Sequence, residues 1–197
     1  MSRLFESIKV ENGRVFNLEL HARRMNDARR ALFGSADTID LAGALSVPPD
    51  CRAGLYKCRV SYAEGILGIV FEPYRRRRIE RLKLVRDDDI DYRYKYEDRS
   101  RIAALLERKE NCDDILIIKN GLVTDTSFSN VALFDGVRWI TPAEPLLAGT
   151  MRERLLSEGA ITEEEIRSGE IRKFQKVSLI NAMLELGDLT LPVKNIV

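Results

Sequence analysis

The sequence is poor in the residues that most often carry chemistry or cross-links. Of 197 residues, one is His, one is Trp and three are Cys. A lone His21 excludes a multi-histidine metal centre and most histidine-based triads. Cys51, Cys58 and Cys112 are odd in number and irregular in spacing, which reads as reduced thiols in a cytoplasmic chain, not a disulfide framework. No apolar run approaches the roughly 20 residues of a membrane-spanning helix, and the start Met1-Ser2-Arg3-Leu4-Phe5-Glu6 has no secretory apolar core. An excess of one charge is missing too. The 32 Lys and Arg face 31 Asp and Glu, so no overall field calls for nucleic acid or a membrane surface. The run Arg75-Arg76-Arg77-Arg78 reads as a solvated turn between strands. Any chemistry must rest on Lys, Asp, Arg and backbone groups, with a cofactor.

What is present is an ordinary globular complement, 45% hydrophobic and 32% charged. Leu4 to Leu20 alternates around Glu11-Asn12-Gly13, the pattern of a β-hairpin. Ala22, Met25, Ala28, Leu32 and Phe33 recur at helical spacing and stop at Gly34. Asp37 to Leu45 suggests a short helix before Pro48-Pro49. Gly54–Ser61, Gly65–Glu72 and Arg78–Val85 are strand-like. Beyond the acidic patch Asp87-Asp88-Asp89, the expected junction between domains 1–88 and 89–197, Arg99–Arg108 reads as helix and Asp114–Lys119 as strand. Asp135-Gly136 marks a second hairpin. Thr150–Glu158 reads as a helix, Thr162-Glu163-Glu164-Glu165 as a capping box opening another, and Lys176–Ile180 as a strand. The fold class expected is α+β.

Four features stand out. Lys95 sits among aromatics in Tyr92-Arg93-Tyr94-Lys95-Tyr96; burial lowers a lysine's pKa, and a neutral amine is what Schiff-base chemistry needs. The stretch from Gly121 to Val131 carries Asp125, a carboxylate able to hold a proton on a ring nitrogen, with hydroxyls and Asn130 to organise the loop. Gly149-Thr150-Met151 opens a helix and offers N–H groups to an anion. Asn181-Ala182 follows an apolar strand and offers a second such set. Each has a plainer reading taken singly: a solvated lysine, a Ser/Thr/Asn-rich turn, an ordinary helix start, a plain turn.

In this order and spacing, the four resemble the class IV aminotransferase family, pyridoxal-phosphate (PLP) enzymes of fold type IV. Members include branched-chain and D-amino acid aminotransferases and 4-amino-4-deoxychorismate lyases. The resemblance runs from about Phe5 to Val193. Its most specific stretch holds Gly121, Asp125, Asn130, Thr141-Pro142 and Gly149 to Arg152. It implies a two-domain fold, an N-terminal α/β sandwich and a C-terminal sheet-plus-helix domain, with a shortened N-terminus. The resemblance also implies roles. Lys95 carries PLP covalently and moves the Cα proton. Asp125, where the family usually has Glu, pairs with the pyridine nitrogen. Arg24, in His21-Ala22-Arg23-Arg24, joins Thr150, Met151 and Ala182 on the phosphate, with Asn130 and Asn181 in the same binding set. Glu64-Gly65 stands where some relatives have Arg-Gly for a substrate carboxylate. The further implication is a homodimer acting on a small-molecule amine. Asn181-Ala182 resembles the lyase version of the late turn, so the activity implied is release of pyruvate from aminodeoxychorismate to give 4-aminobenzoate. The alternatives are an aminotransferase for a branched-chain or D-amino acid, or a non-catalytic descendant.

Overall fold

A computed structural model describes residues 2–197, which divide into two compact units. The first runs to Arg76 and takes in Tyr94–Asp98; the second holds Arg77–Arg93 and Arg99–Val197. Among the described residues no helix is long and apolar enough to cross a membrane.

In the first unit the alternating opening segment forms β1 (Leu4–Glu11), turned at Asn12-Gly13 into β2 (Arg14–Val15). Both turn residues have positive φ, the conformation a tight two-residue hairpin demands. Helix α1 spans Leu18–Phe33 and ends on Gly34 at φ 68°, the left-handed stop that glycine adopts without strain. The helix starts three residues before the expected His21, because Leu18 joins the apolar face. Helix α2 is a single turn, Leu41–Ala44, capped by the Asp40 carboxylate on Gly43 N at 3.0 Å. Strands β3 (Leu55–Tyr62) and β4 (Ile66–Pro73) complete an antiparallel sheet of order β2-β1-β3-β4. Its register sets Leu4, Ile8 and Val10 opposite Tyr62, Cys58 and Tyr56. With Met25, Ala28 and Leu41 these make the core between sheet and helices. Tyr94–Asp98 returns to this sheet: Phe5 N donates to Lys95 O at 3.0 Å, Glu97 N to Arg3 O at 2.9 Å, and Tyr96 pairs with Leu4.

The second unit begins with β5 (Leu82–Arg86), shorter than the expected Arg78–Val85, followed by α3 (Ser100–Leu106). Strand β6 (Asp114–Lys119) lies parallel to β5 and antiparallel to β7 (Leu122–Thr126). The Asp114 to Ile118 stretch is buried throughout, the near-continuous apolar signature of a parallel pairing covered on both faces. Asp87 and Asp88, read as a junction, lie within this unit, paired with Arg101 and Arg86. Strands β8 (Asn130–Phe134) and β9 (Trp139–Pro142) flank Asp135-Gly136. Then come α4 (Thr150–Ser157), β10 (Thr162–Glu164), β11 (Lys176–Ile180) and β12 (Thr190–Pro192), in a sheet of order β10-β9-β8-β11-β12. One core, built from Leu116, Val131, Leu133, Val177 and Leu179 among others, joins both sheets of the unit.

The capping-box expectation at Thr162 fails. Thr162-Glu163-Glu164 is an edge strand, parallel to Ile140-Thr141-Pro142. Buried Ile161 and Ile166 anchor its ends, while Glu163 and Glu164 meet Arg152 and Arg138 at 2.5 Å each. Pairing with Ile140 to Pro142 takes Thr162 to Glu164 into the sheet as a strand, so no helix follows for the box to cap.

Candidate functional site

In the second unit, Asp125 stands on β7 and Asn130 on β8, joined by a turn that its own hydroxyls satisfy. Thr126 N donates to Ser129 O at 2.9 Å, Ser129 N donates to Thr126 Oγ1 at 3.1 Å, and the two hydroxyls lie 2.7 Å apart. The Ser/Thr-rich composition is therefore the means of making a tight, buried turn between strands. The expected open polar loop is in fact mostly strand β7, with Val123 to Thr126 all buried. Arg99, just ahead of α3, donates to Ser127 O and ties the turn down from outside.

Asp125 is 6% exposed. Its Oδ1 accepts from Asn130 Nδ2 at 2.9 Å and its Oδ2 from Leu147 N at 3.0 Å. Asn130 spends its second amide hydrogen on Leu147 O at 2.8 Å. These two neutral donors orient the carboxylate, a group suited to a cationic partner such as a protonated ring nitrogen. Asn130 thus acts through Asp125 and the 147 turn.

That turn closes onto Asn130 only because residue 149 is glycine. A Cβ there would lie 1.9 Å from Asn130 Oδ1 and 3.1 Å from its Cγ. Gly149 has φ −75°, open to alanine, so the demand for glycine is one of space alone. Gly149→Ala should cost about 1–3 kcal/mol as overpacking, read as a lower urea midpoint. In an Asn130→Ala background the same change should be nearly silent.

Gly149 leads into α4 with no side-chain cap, so the positive end of the helix presents backbone N–H groups, the arrangement that receives phosphate. Thr150 is 2% exposed, and the Met151 side chain is wholly buried against Ala132, Leu155 and Ile180. What Met151 has to offer an anion is its N–H. The late turn is fixed likewise: Asn181 Oδ1 accepts from Met183 N at 2.8 Å, and its Nδ2 donates to Phe128 O at 3.3 Å. Asn181 shapes the backbone at Ala182 and links it to the Asp125 turn. These residues fit PLP in kind: a buried carboxylate for the ring, and a glycine-led helix N-terminus for the phosphate.

In the first unit, Arg24 projects from α1 onto Glu6 of β1. Its Nε meets Oε1 at 3.0 Å and its Nη2 meets Oε2 at 2.5 Å. His21, one helical turn earlier, places Nδ1 2.7 Å from Oε2. Burial alone would raise Glu6, but the Arg24 charge and the His21 and Arg24 hydrogen bonds outweigh it and hold the carboxyl down at about 2. Burial also pushes His21 down, against the pull of Glu6, with Arg24 and Lys95 adding to the fall. A neutral imidazole donating Nδ1–H to a carboxylate is the state that results.

Lys95 is half-buried, with Nζ 4.8 Å from the centre of the Phe5 ring. The same ring carries Arg59 at 3.8 Å, and Arg59 and Ser61 both reach Glu97 Oε1, at 3.0 and 2.6 Å. The register of β1 and β3 puts Phe5, Arg59 and Ser61 on the sheet face opposite Glu6. Glu64 is exposed and engages Arg29 through its carbonyl.

Glu6 was the residue sequence reasoning missed. The signal was present, since Leu4, Glu6, Ile8 and Val10 are the core-facing positions of one strand and only one of them is charged.

The class IV amino-transferase family profile matches residues 77–195. An uncharacterized protein of Haemophilus influenzae is 38% identical over 185 residues, 93% of this chain and 98% of its own. The chain belongs to the class IV aminotransferase family. A crystal structure of a Haemophilus somnus chain provisionally named 4-amino-4-deoxychorismate lyase is 34% identical, with TM-score 0.86, over 94% of this chain and 98% of that one. The PLP-bound form of a hypothetical aminotransferase from Mycobacterium tuberculosis shares the fold at 18% identity, TM-score 0.78, over 98% and 81% of the two chains. The class IV chain described here has the mixed α/β architecture of fold type IV, as the family resemblance implied.

Proposed function

We propose that this class IV chain is a PLP-dependent lyase of the 4-amino-4-deoxychorismate lyase kind, releasing pyruvate from its substrate to leave 4-aminobenzoate. The observation that supports a PLP enzyme is the buried Asp125, oriented by Asn130 and Leu147 N beside the Gly149 helix start. The lyase assignment rests on likeness to the Haemophilus somnus chain and on the Asn181-Ala182 turn.

Bound PLP supplies an electron sink for the carbon that carries the substrate amine. Lys95 Nζ would hold the cofactor and then, as the free amine, take the proton from that carbon. Asp125 would keep the proton on the ring nitrogen. Arg24 and the N–H groups of Thr150, Met151 and Ala182 would neutralise the phosphate, with Asn181 setting the backbone of the last. Without that anchoring, the reacting carbon would not sit within reach of Lys95. The active assembly is a homodimer in this reading, and sedimentation of a fully active monomer would contradict it.

The test is to incubate the purified protein with PLP and 4-amino-4-deoxychorismate and assay both products. Equal release of 4-aminobenzoate and pyruvate is expected. Transfer of an amino group to a 2-oxo acid, with neither product formed, would assign an aminotransferase. Asp125→Asn, which keeps the shape and removes the charge, should lower turnover by roughly 10²-fold, the scale of removing one electrostatic contact to the reacting system. The absorbance of bound PLP should shift with it.

A further inference from the structure

Glu6 is a charged residue at a core position where an apolar one would serve the fold. It is 0% exposed, between Leu4 and Ile8 on the face of β1 that packs under α1. Replacing a buried ion pair by apolar side chains of similar volume is often neutral or stabilising, so packing does not account for Glu6. Its contacts do. Both carboxylate oxygens meet Arg24, through Nε and Nη2, and Oε2 also meets His21 Nδ1. The Tyr62 hydroxyl is buried with no hydrogen-bond partner, close enough for the Glu6 charge to raise its pKa further beyond what burial does. Arg24 Nε and Nη2 both donate to Glu6, which fixes the plane of the guanidinium. The Arg24 side chain is 17% exposed, against 0% for Glu6.

We propose that Glu6, seconded by His21, is a positioning residue: it holds the Arg24 guanidinium in the one orientation that receives the cofactor phosphate. The inference rests on the PLP reading above. Glu6 itself touches neither cofactor nor substrate; it acts through Arg24. An arginine fixed in advance loses less freedom on meeting an anion, so in binding the gain appears as affinity for the phosphate and not for the rest of the cofactor.

Pyridoxal separates the phosphate from the rest of the cofactor, since it has the same ring and aldehyde without the anion. The apoprotein is titrated with PLP and with pyridoxal, following absorbance and Trp139 fluorescence. Wild type should favour PLP by about 10²-fold or more, the scale of charge-assisted contacts to a phosphate. Glu6→Gln should shrink that preference ~10-fold while leaving pyridoxal affinity unchanged within about twofold. In an Arg24→Lys background, which keeps the charge and loses the fork, Glu6→Gln should add no further loss.

Equal weakening of both ligands would make Glu6 merely structural and overturn the proposal. So would an unchanged or larger preference, or additive losses in the double variant. If Glu6→Gln does not fold, His21 carries the test. His21→Asn, whose amide can replace the Nδ1 donor, should retain the preference, and His21→Leu should reduce it about threefold; equal behaviour of the two would overturn the proposal. Wild type that binds neither ligand would instead refute the PLP reading itself.

Discussion

Lys95→Ala should release 4-aminobenzoate at least about 10³-fold more slowly than wild type, and the protein should remain folded. The rate estimate combines loss of the covalent anchor with loss of the proton-transferring amine, the latter alone worth roughly 10²–10⁴-fold. The fold should survive because backbone hydrogen bonds and two tyrosines also hold the segment. Its backbone is bonded to Phe5 N of β1 and to Arg3 O just ahead of that strand, and Tyr94 and Tyr96 pack against the core of the unit. The Phe5 ring also carries Arg59, at 3.8 Å, a contact that shortening Lys95 does not itself remove. Borohydride reduction of the wild-type holoprotein should fix the cofactor on the peptide containing Lys95, and the variant should take up no label. Lys95→Arg sharpens the test, keeping a positive charge over Phe5 without a condensing amine. It should match the alanine variant in rate and wild type in melting temperature. Substantial turnover in either variant would move the chemistry to another residue.

The sequence made the α+β class and most elements readable wherever one periodicity ruled a segment. Strands β6 and β11 begin and end where their apolar runs do, and Gly34 ends α1 as its spacing requires. Local rules failed where a partner distant in the chain decided the outcome. Thr162-Glu163-Glu164 has helix-start chemistry, yet Ile140 to Pro142 recruit it as a strand and Arg152 and Arg138 take its charges. The Asp125 segment shows the same limit. Threonines and an aspartate argue for a turn, but Thr124 Oγ1 donates to Ile117 O at 2.8 Å and Asp125 faces Asn130, so every polar group has a use inside a strand. The Asn130–Gly149 contact was not readable at all, since nothing in a Gly-Thr pair shows what presses on its Cα. Family resemblance proposed Asp125, Asn130 and Gly149; only coordinates show that Asn130 bridges the other two.

Acid should unfold the protein in a way traceable to Glu6. Its carboxyl is held at about 2 in the fold against 4.5 when free, so the unfolded chain takes up the proton first. The stabilisation from Glu6 is therefore whole above pH about 4.5 and is lost as pH falls towards 2, a total near 3 kcal/mol at about 1.4 kcal/mol per pH unit. His21 adds loss of the same sign at milder pH. Because its folded pKa lies below the ordinary 6.5, the unfolded chain binds that proton first, and stability declines once pH drops under 6.5. Asp114 works in the opposite sense. Burial raises its carboxyl, so its protonation on acidification favours the folded chain and offsets part of the fall. Urea unfolding at pH 7, 5 and 3 should show a decline in two stages. Glu6→Gln should be less stable at pH 7, because Arg24 loses a buried partner, yet lose less on acidification, since its lower limb no longer has a proton to bind. An acid limb equally steep in that variant would locate the acid lability among other carboxylates, such as Asp87, held low by its hydrogen bond from Arg101, and Glu97, held low by hydrogen bonds from Ser61 and Arg59.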